Sequence, residues 1–340
     1  MGNEVEKNYR ASPNVSQSSL GYLATHPRYY KHKMFTTEVG SKDYFIIGGA
    51  LDTLLTNKEE YHNLYIEEPD VKLTKMMAVF CNEFAKQKYD NKCDNELAYN
   101  LAYESSEYKV SLERVLKMFD DTEVQMYLKF LVERKGKQVI KREDAITVWR
   151  MFKLLTQSEH CGWLFREPAE GINILFQVAI LFKTNEVDCK GLLDIVVIDH
   201  NNRTIQVIDL KTTGKSVYQF KTSFISFYYY IQAAFYTAAI EQWKKENKQY
   251  GDISEYKALN FKFLVQEKAC YNAPIFFPTT DNDLRVGKLG GYLKGSNEYV
   301  KGYIELLDEL KWHKQTDYWE MPKDIFLNNF HIELNTFKTM

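Results

Sequence analysis

Two acids and a lysine stand out in the stretch GLLDIVVIDHNNRTIQVIDLKTT, residues 191–213: Asp194, Asp209 and Lys211. The stretch has the β-branched composition of two strands joined by a polar turn. Asn201-Asn202 is read as a two-residue turn, because asparagine tolerates the positive φ such turns need. Counting back along both strands then sets Asp194 directly opposite Asp209. The Cβ atoms of such partners stand roughly 4.5–5.5 Å apart. Lys211, two residues beyond Asp209, projects from the same face. Ile195, Val197, Ile208 and Leu210 make the opposite face wholly apolar, and Val196, Ile198, Ile205 and Val207 keep the acid-bearing face mostly apolar. The hairpin is therefore expected at the centre of a sheet covered on both sides.

Paired carboxylates in such a place repel each other, and each is costly to take out of water. A divalent cation between them reverses the sign of that cost. Hard oxygen ligands at this spacing suit Mg²⁺ or Mn²⁺. A lysine beside the cation positions water or stabilises a phosphate that gains negative charge. The chemistry this predicts is phosphodiester hydrolysis.

Around the hairpin, the period of the apolar residues changes along the chain. Residues 72–160 read as helices, with apolar residues at three- and four-residue spacing in LTKMMAVFCNEFAKQ, SLERVLKMFDD, EVQMYLKFLVER and REDAITVWRMFKLLTQ. Upstream, residues 1–15 read as a loose arm. VSQSSLGYLATHPRYYKHKMF reads as a helix, and Gly48-Gly49 precede a short helix that carries Asp52. INILFQVAILF adds a third strand before the hairpin. FYYYIQAAFYTAAIEQWKK returns to helix, NFKFLVQEK and APIFFPTT return to strand, and EYVKGYIELLDELKWHK is a last helix. The expected fold is α/β: one domain over 1–340, with a mostly helical part over 1–160, a core sheet over 161–280 and a helical end over 281–340.

Composition narrows the function classes. With 340 residues and a net charge of −2, the chain has no general basic coat, so DNA binding must come from a local patch. Cys81, Cys93, Cys161, Cys189 and Cys270 are odd in number and form no CxxC, which argues against a disulfide scaffold, a zinc ribbon or a cysteine-held cluster. The start, MGNEVEKNYR, lacks a signal core, and no stretch reaches the roughly 20 apolar residues of a membrane span. A soluble cytoplasmic protein is expected.

With these residues in place, the sequence resembles the PD-(D/E)XK nuclease superfamily, in particular its RecB-like and exonuclease VIII-like branch. VSQSSLGYLATHPRYY is similar to the branch's first segment, GGALDTLL to its Gly-x-x-x-His-x-x-Leu helix, CKGLLD to the segment ending in the first metal-binding Asp, VIDLKT to the acid-x-Lys core, QAAFY to the Gln-x-x-x-Tyr helix and FLVQEKACYNAPIFF to the following strand. The resemblance implies a restriction-endonuclease-like mixed sheet flanked by helices, with a large helical elaboration before it. It implies that Asp194, Asp209 and Lys211 are catalytic. Asp194, Asp209 and the Leu210 carbonyl would hold Mg²⁺ or Mn²⁺, with Asp52, standing where the family has histidine, as a further ligand. Gln177 occupies the place where many relatives carry glutamate; glutamine holds a water better than a cation. Gln232 and Tyr236, at i and i+4 on one helix face, would line the cleft beside DNA. Lys215 and Lys221 would contact phosphates.

For function, the resemblance implies a metal-dependent exonuclease acting 5′ to 3′ on duplex DNA with free ends, in phage-type recombination or repair. The exposed 3′ strand would pass to a single-strand annealing protein, and members of the branch often form ring-shaped homo-oligomers. Two alternatives stand beside it. One is a CRISPR-adaptation-type nuclease, which the missing cysteine quartet disfavours. The other is a non-catalytic DNA-end-binding or assembly protein on the same fold, which intact Asp194, Asp209 and Lys211 disfavour.

Overall fold

A computed structural model describes residues 8–36 and 43–332. They fall into two units, residues 1–40 with 155–340 and residues 41–154. In the first, a helical turn at 8–11 leads to β1 (Val15–Ser16), α1 (Gln17–Thr25) and α2 (Pro27–Phe35). The single helix expected here is two. Pro27 has no N–H to donate and holds the residue before it in extended backbone. His26, at φ −173°, ends α1 and caps α2, its Nδ1 accepting from the Arg28 N–H at 3.1 Å. Within the expected loose arm, the described residues form this turn and strand.

The second unit holds α3 (Asp43–Thr56), α4 (Lys58–Leu64), β2 (Tyr65–Glu67), α5 (Lys75–Ala85), α6 (Asn95–Ser106), α7 (Leu112–Phe119), α8 (Thr122–Glu133), β3 (Gln138–Ile140) and α9 (Arg142–Gln157), whose end passes into the first unit. It is mostly helical, as expected, with β2 and β3 pairing in parallel. Phe80, Phe84 and Phe119 form its aromatic centre. Gly48-Gly49 do not precede a helix; α3 runs straight through them. A Cβ at Gly49 would stand 3.0 Å from the Tyr65 hydroxyl, so the glycine leaves room for that ring.

The first unit resumes with β4 (Ile172–Thr184), β5 (Val187–Asp199), β6 (Thr204–Thr213), α10 (Phe220–Ser226), α11 (Tyr229–Glu246), β7 (Lys257–Ala258), β8 (Lys262–Glu267), β9 (Ile275–Pro278), α12 (Asp281–Leu289), β10 (Gly291–Tyr292), β11 (Tyr299–Val300), α13 (Tyr303–Thr316) and α14 (Lys323–Leu327). The mixed sheet runs β1-β5-β6-β8-β9, with β4 on β5 and β7 on β6. The fold is thus a mixed α/β sheet flanked by helices. Ile231, Ala233, Phe235, Ala239 and Ile240 of α11 are buried in the core it shares with the sheet. Full burial of an Ile or Phe side chain stabilises by about 1.5–3 kcal/mol. The small residues let neighbouring elements come close: a Cβ on Gly287 of α12 would stand 2.0 Å from the Tyr230 carbonyl of α11.

One irregularity of the sheet positions the site. β4 covers one edge of β5 from Val187 to Asp199. On the other edge, β1 pairs at Cys189 and Lys190, and β6 pairs only from Ile195 to Asp199. Between these two partners, residues 191–194 of β5 face a gap. Beyond Ile208, β6 leaves β5 and continues on β8, with Asp209 beside Phe263 and Lys211 beside Val265. The sheet therefore forks at Asp194 and Asp209.

Candidate active site

The fork owes its register to the hairpin. Ile195 pairs with Ile208 and Asp199 with Thr204, as the sequence predicts, so Asp194 and Asp209 come next along the two strands. The connection is longer than the two-residue turn expected. Residues 200–203 form it, with positive φ at Arg203 (52°), and Asp199 accepts from the Asn202 N–H at 2.9 Å and from its amide at 2.7 Å. The longer loop is symmetric about Asn201-Asn202, which is why the register survives. His200 is half-buried, held by Tyr256 and Asn173.

Asp194 reaches across the fork and accepts a hydrogen bond from the Leu210 N–H at 2.9 Å. That N–H has no strand partner because β5 has parted from β6. In a strand, a residue's N–H and C=O lie on the same edge, so the Leu210 carbonyl shares the edge that faces the gap. Asp209 is buried, 2% exposed. Its Oδ1 accepts from Gln232 Nε2 at 2.6 Å, and its Oδ2 stands 2.6 Å from the Lys211 ammonium while accepting no hydrogen bond of ordinary geometry. The ammonium lies 4.8 Å from the centre of the Tyr229 ring. Burial acts most strongly on Lys211 and would lower its pKa. Asp209, Tyr229 and Asp194 together outweigh it and raise the pKa, so the lysine stays charged.

α11 supplies the wall above these groups. Gln232 and Tyr236 share a face, and the Tyr236 ring packs on Gly191, where a Cβ would stand 3.2 Å from it. Burial, with Tyr9, Asp209 and Asp194 adding to it, drives the Tyr236 phenol well above its usual range and keeps it neutral. In β4, Gln177 falls between Phe176 and Val178, whose partners are Ile195 and Leu193, so it stands across from Asp194. Its backbone is left-handed, at φ 51°. This conformation is uncommon for a non-glycine residue and interrupts the regular β4–β5 register at this point.

The remaining sequence candidates stand on other segments. Lys215 and Lys221 are exposed on the segment after β6. Asp52 lies on α3 in the second unit, half-buried, its charge felt by Tyr65. Tyr229 and Gly191 escaped the sequence reading as contributors, and Glu267 entered it only through the Glu-Lys pair of the FLVQEKACYNAPIFF strand. Tyr229 is one helical turn before Gln232, and Glu267 ends β8 on the face of Lys211. Their spacing signals both, once the strand and helix are aligned.

The donor chemistry fits a hard divalent cation. Two carboxylates and one ammonium leave a net negative charge in a largely dry place, and Asp209 Oδ2 has only the Lys211 ammonium, at 2.6 Å, beside it. Mg²⁺ commonly takes one or two protein carboxylates and keeps several waters. Among the described residues no three Asp, Glu, His or Cys side chains are gathered. A cation here would rest on Asp194, Asp209, main-chain oxygen and water.

The mixed sheet thus forks with an acid on each prong and a lysine one repeat beyond. Residues 97–286 match the PD-(D/E)XK nuclease superfamily, and the chain belongs to it. That family generally uses divalent metal ions. A solved structure from Eubacterium rectale, named "Putative exonuclease", is similar to this chain at 13% identity, over 63% of this chain and 80% of that one, with a TM-score of 0.31. No curated protein matches. Among the described residues, no helix is long and apolar enough to cross a membrane.

Proposed function

We propose that this protein is a Mg²⁺- or Mn²⁺-dependent DNA exonuclease that degrades duplex DNA from free ends, 5′ to 3′, in phage-type recombination or repair. The observation that carries the reading is Asp209: a buried carboxylate gripped by Gln232 and Lys211, beside Asp194, at the fork of the sheet. Gln232 orients Asp209, and the Leu210 N–H orients Asp194. What a cation supplies when bound to these carboxylates and the Leu210 carbonyl is Lewis acidity toward phosphate oxygens and water. Lys211, held charged, stabilises negative charge as it builds on the phosphate. Tyr236, a neutral phenol, is a hydrogen-bond donor to the strand. Lys215 and Lys221 are proposed phosphate contacts.

The polarity, the hand-over of the 3′ strand to a single-strand annealing protein, a ring-shaped homo-oligomer and a cytoplasmic location rest on the exonuclease VIII-like resemblance. End dependence also follows from charge. With a net charge of −2, general attraction to duplex phosphates is weak, which disfavours random internal cutting. The test is a comparison of linear duplex with covalently closed circular DNA in Mg²⁺ at low salt. Linear DNA is degraded and the circle spared; rapid cutting of the circle that disappears in Asp194→Ala would make the protein an endonuclease.

A further inference from the structure

Glu267 ends β8 in register with Thr213, on the face that carries Asp209 and Lys211. That places it one strand repeat beyond Lys211, about 6.6 Å along the strand direction. Its carboxylate is 2% exposed and is given over to two loops. Oε2 accepts from the Val217 N–H at 3.0 Å. Oε1 accepts from the Tyr271 N–H at 3.1 Å, the Asn272 N–H at 3.0 Å and the Asn272 amide at 2.9 Å. One acid thus pins the loop that leaves β6 to the loop that leaves β8.

Each pinned loop presents a tyrosine to solvent. Tyr218, next to Val217, is 71% exposed, and Tyr271 is 90% exposed. The charges on these loops are of one sign. Lys215 and Lys221 follow β6 and Lys268 follows β8, and neither 210–225 nor 268–280 contains an acid. Exposed aromatic rings interleaved with lysines, on main chain held by a buried acid, suit nucleotides whose base faces are free. Duplex offers no such face except at an opened end.

We propose that Tyr218 and Tyr271 form a stacking rim for unpaired nucleotides of the DNA strand engaged at the fork, with Lys215 and Lys268 on its phosphates and Glu267 as the positioning residue. The identity of the strand rests on the nuclease reading of Asp194, Asp209 and Lys211; the rim itself is testable without cleavage. Fluorescence anisotropy of a labelled oligothymidylate with the full chain in EDTA reads binding alone. Tyr218→Ala and Tyr271→Ala each weaken binding by at least about fivefold, whereas the Phe variants, which keep a ring, bind like wild type. Lys215→Ala lowers the salt slope by about 0.7. Covalently closed circular duplex is bound equally by wild type and the tyrosine variants. Unchanged oligothymidylate affinity in the double alanine variant overturns the rim and leaves the surface to a protein partner. Equal losses on the closed circle also overturn it. Wild type that binds oligothymidylate through these tyrosines but cleaves nothing in Mg²⁺ or Mn²⁺ would sink the nuclease reading and leave the rim standing.

Discussion

The Leu210 N–H donates to Asp194 Oδ2 across a gap where no strand hydrogen bond is available to it. A side chain of β5 thus does at the fork what the backbone of β5 does from Ile195 onward. The same bond that stitches the fork aims the carboxylate, so the opening of the sheet and the position of the acid are one feature.

Replacing Asp194 or Asp209 with alanine removes one of the two carboxylates of the proposed cation site. Titration calorimetry with Mn²⁺ is expected to show binding to wild type and none to Asp209→Ala. Equal heats for both proteins would refute the site assignment.

Lys211 has two separable effects. Lys211→Ala lowers turnover by about two to three orders of magnitude, as loss of a charged transition-state stabiliser does. It also leaves Asp209 buried without its counter-charge. Breaking a buried pair costs about 3 kcal/mol where little solvent reaches it, and the Lys211 side chain keeps only 20% exposure. Chemical denaturation without divalent metal is expected to show the loss, and added Mn²⁺ to restore part of it. A variant with near-wild-type cleavage would make Lys211 purely structural.

Gly191 leaves space for the Tyr236 ring, with a tolerance of a few tenths of an ångström. Gly191→Ala is expected to fold with little change in stability and to cleave more slowly. Gly191→Val displaces the ring, and a shift of about 1 Å near the chemistry costs up to about a hundredfold. Rates of both variants measured beside Tyr236→Phe would separate ring position from loss of the hydroxyl; equal rates for wild type and Gly191→Val would remove Tyr236 from the site.

Burial alone would raise the Glu267 pKa, but the hydrogen bonds from Asn272, Val217 and Tyr271 lower it below the ordinary value. A depressed carboxylate contributes stability above its unfolded pKa of about 4.3 and loses it as pH falls through the folded value. Urea midpoints followed from neutral pH down to about pH 3 should therefore fall less steeply in Glu267→Gln than in wild type. Parallel curves would show that Glu267 does not carry acid-sensitive stability.

How far the chain can be read without its fold is clearest in the hairpin. Strand alternation is local, and register follows from counting outward from the turn, so the adjacency of Asp194 and Asp209 and the shared face of Lys211 were legible even though the loop proved longer than two residues. The pairing of Gln232 with Tyr236 on one face of α11 followed from helical period alone. The break at Pro27 was also open to local reasoning, since proline's missing donor acts on its nearest neighbours.

The fork was not legible. It depends on β1, some 175 residues upstream of its partner, taking the edge of β5 that β6 abandons. No local pattern encodes which of two strands takes an edge; that choice comes from competition among long-range pairings. The same holds for the grip of Gln232 on Asp209, the fit of Tyr236 to Gly191 and the two loops tied to Glu267. Each joins residues distant in sequence whose contact exists only once the helix lies on the sheet. Residue type and spacing thus determined which groups were available for chemistry, whereas packing decided which of them were desolvated, charged and aimed at one another.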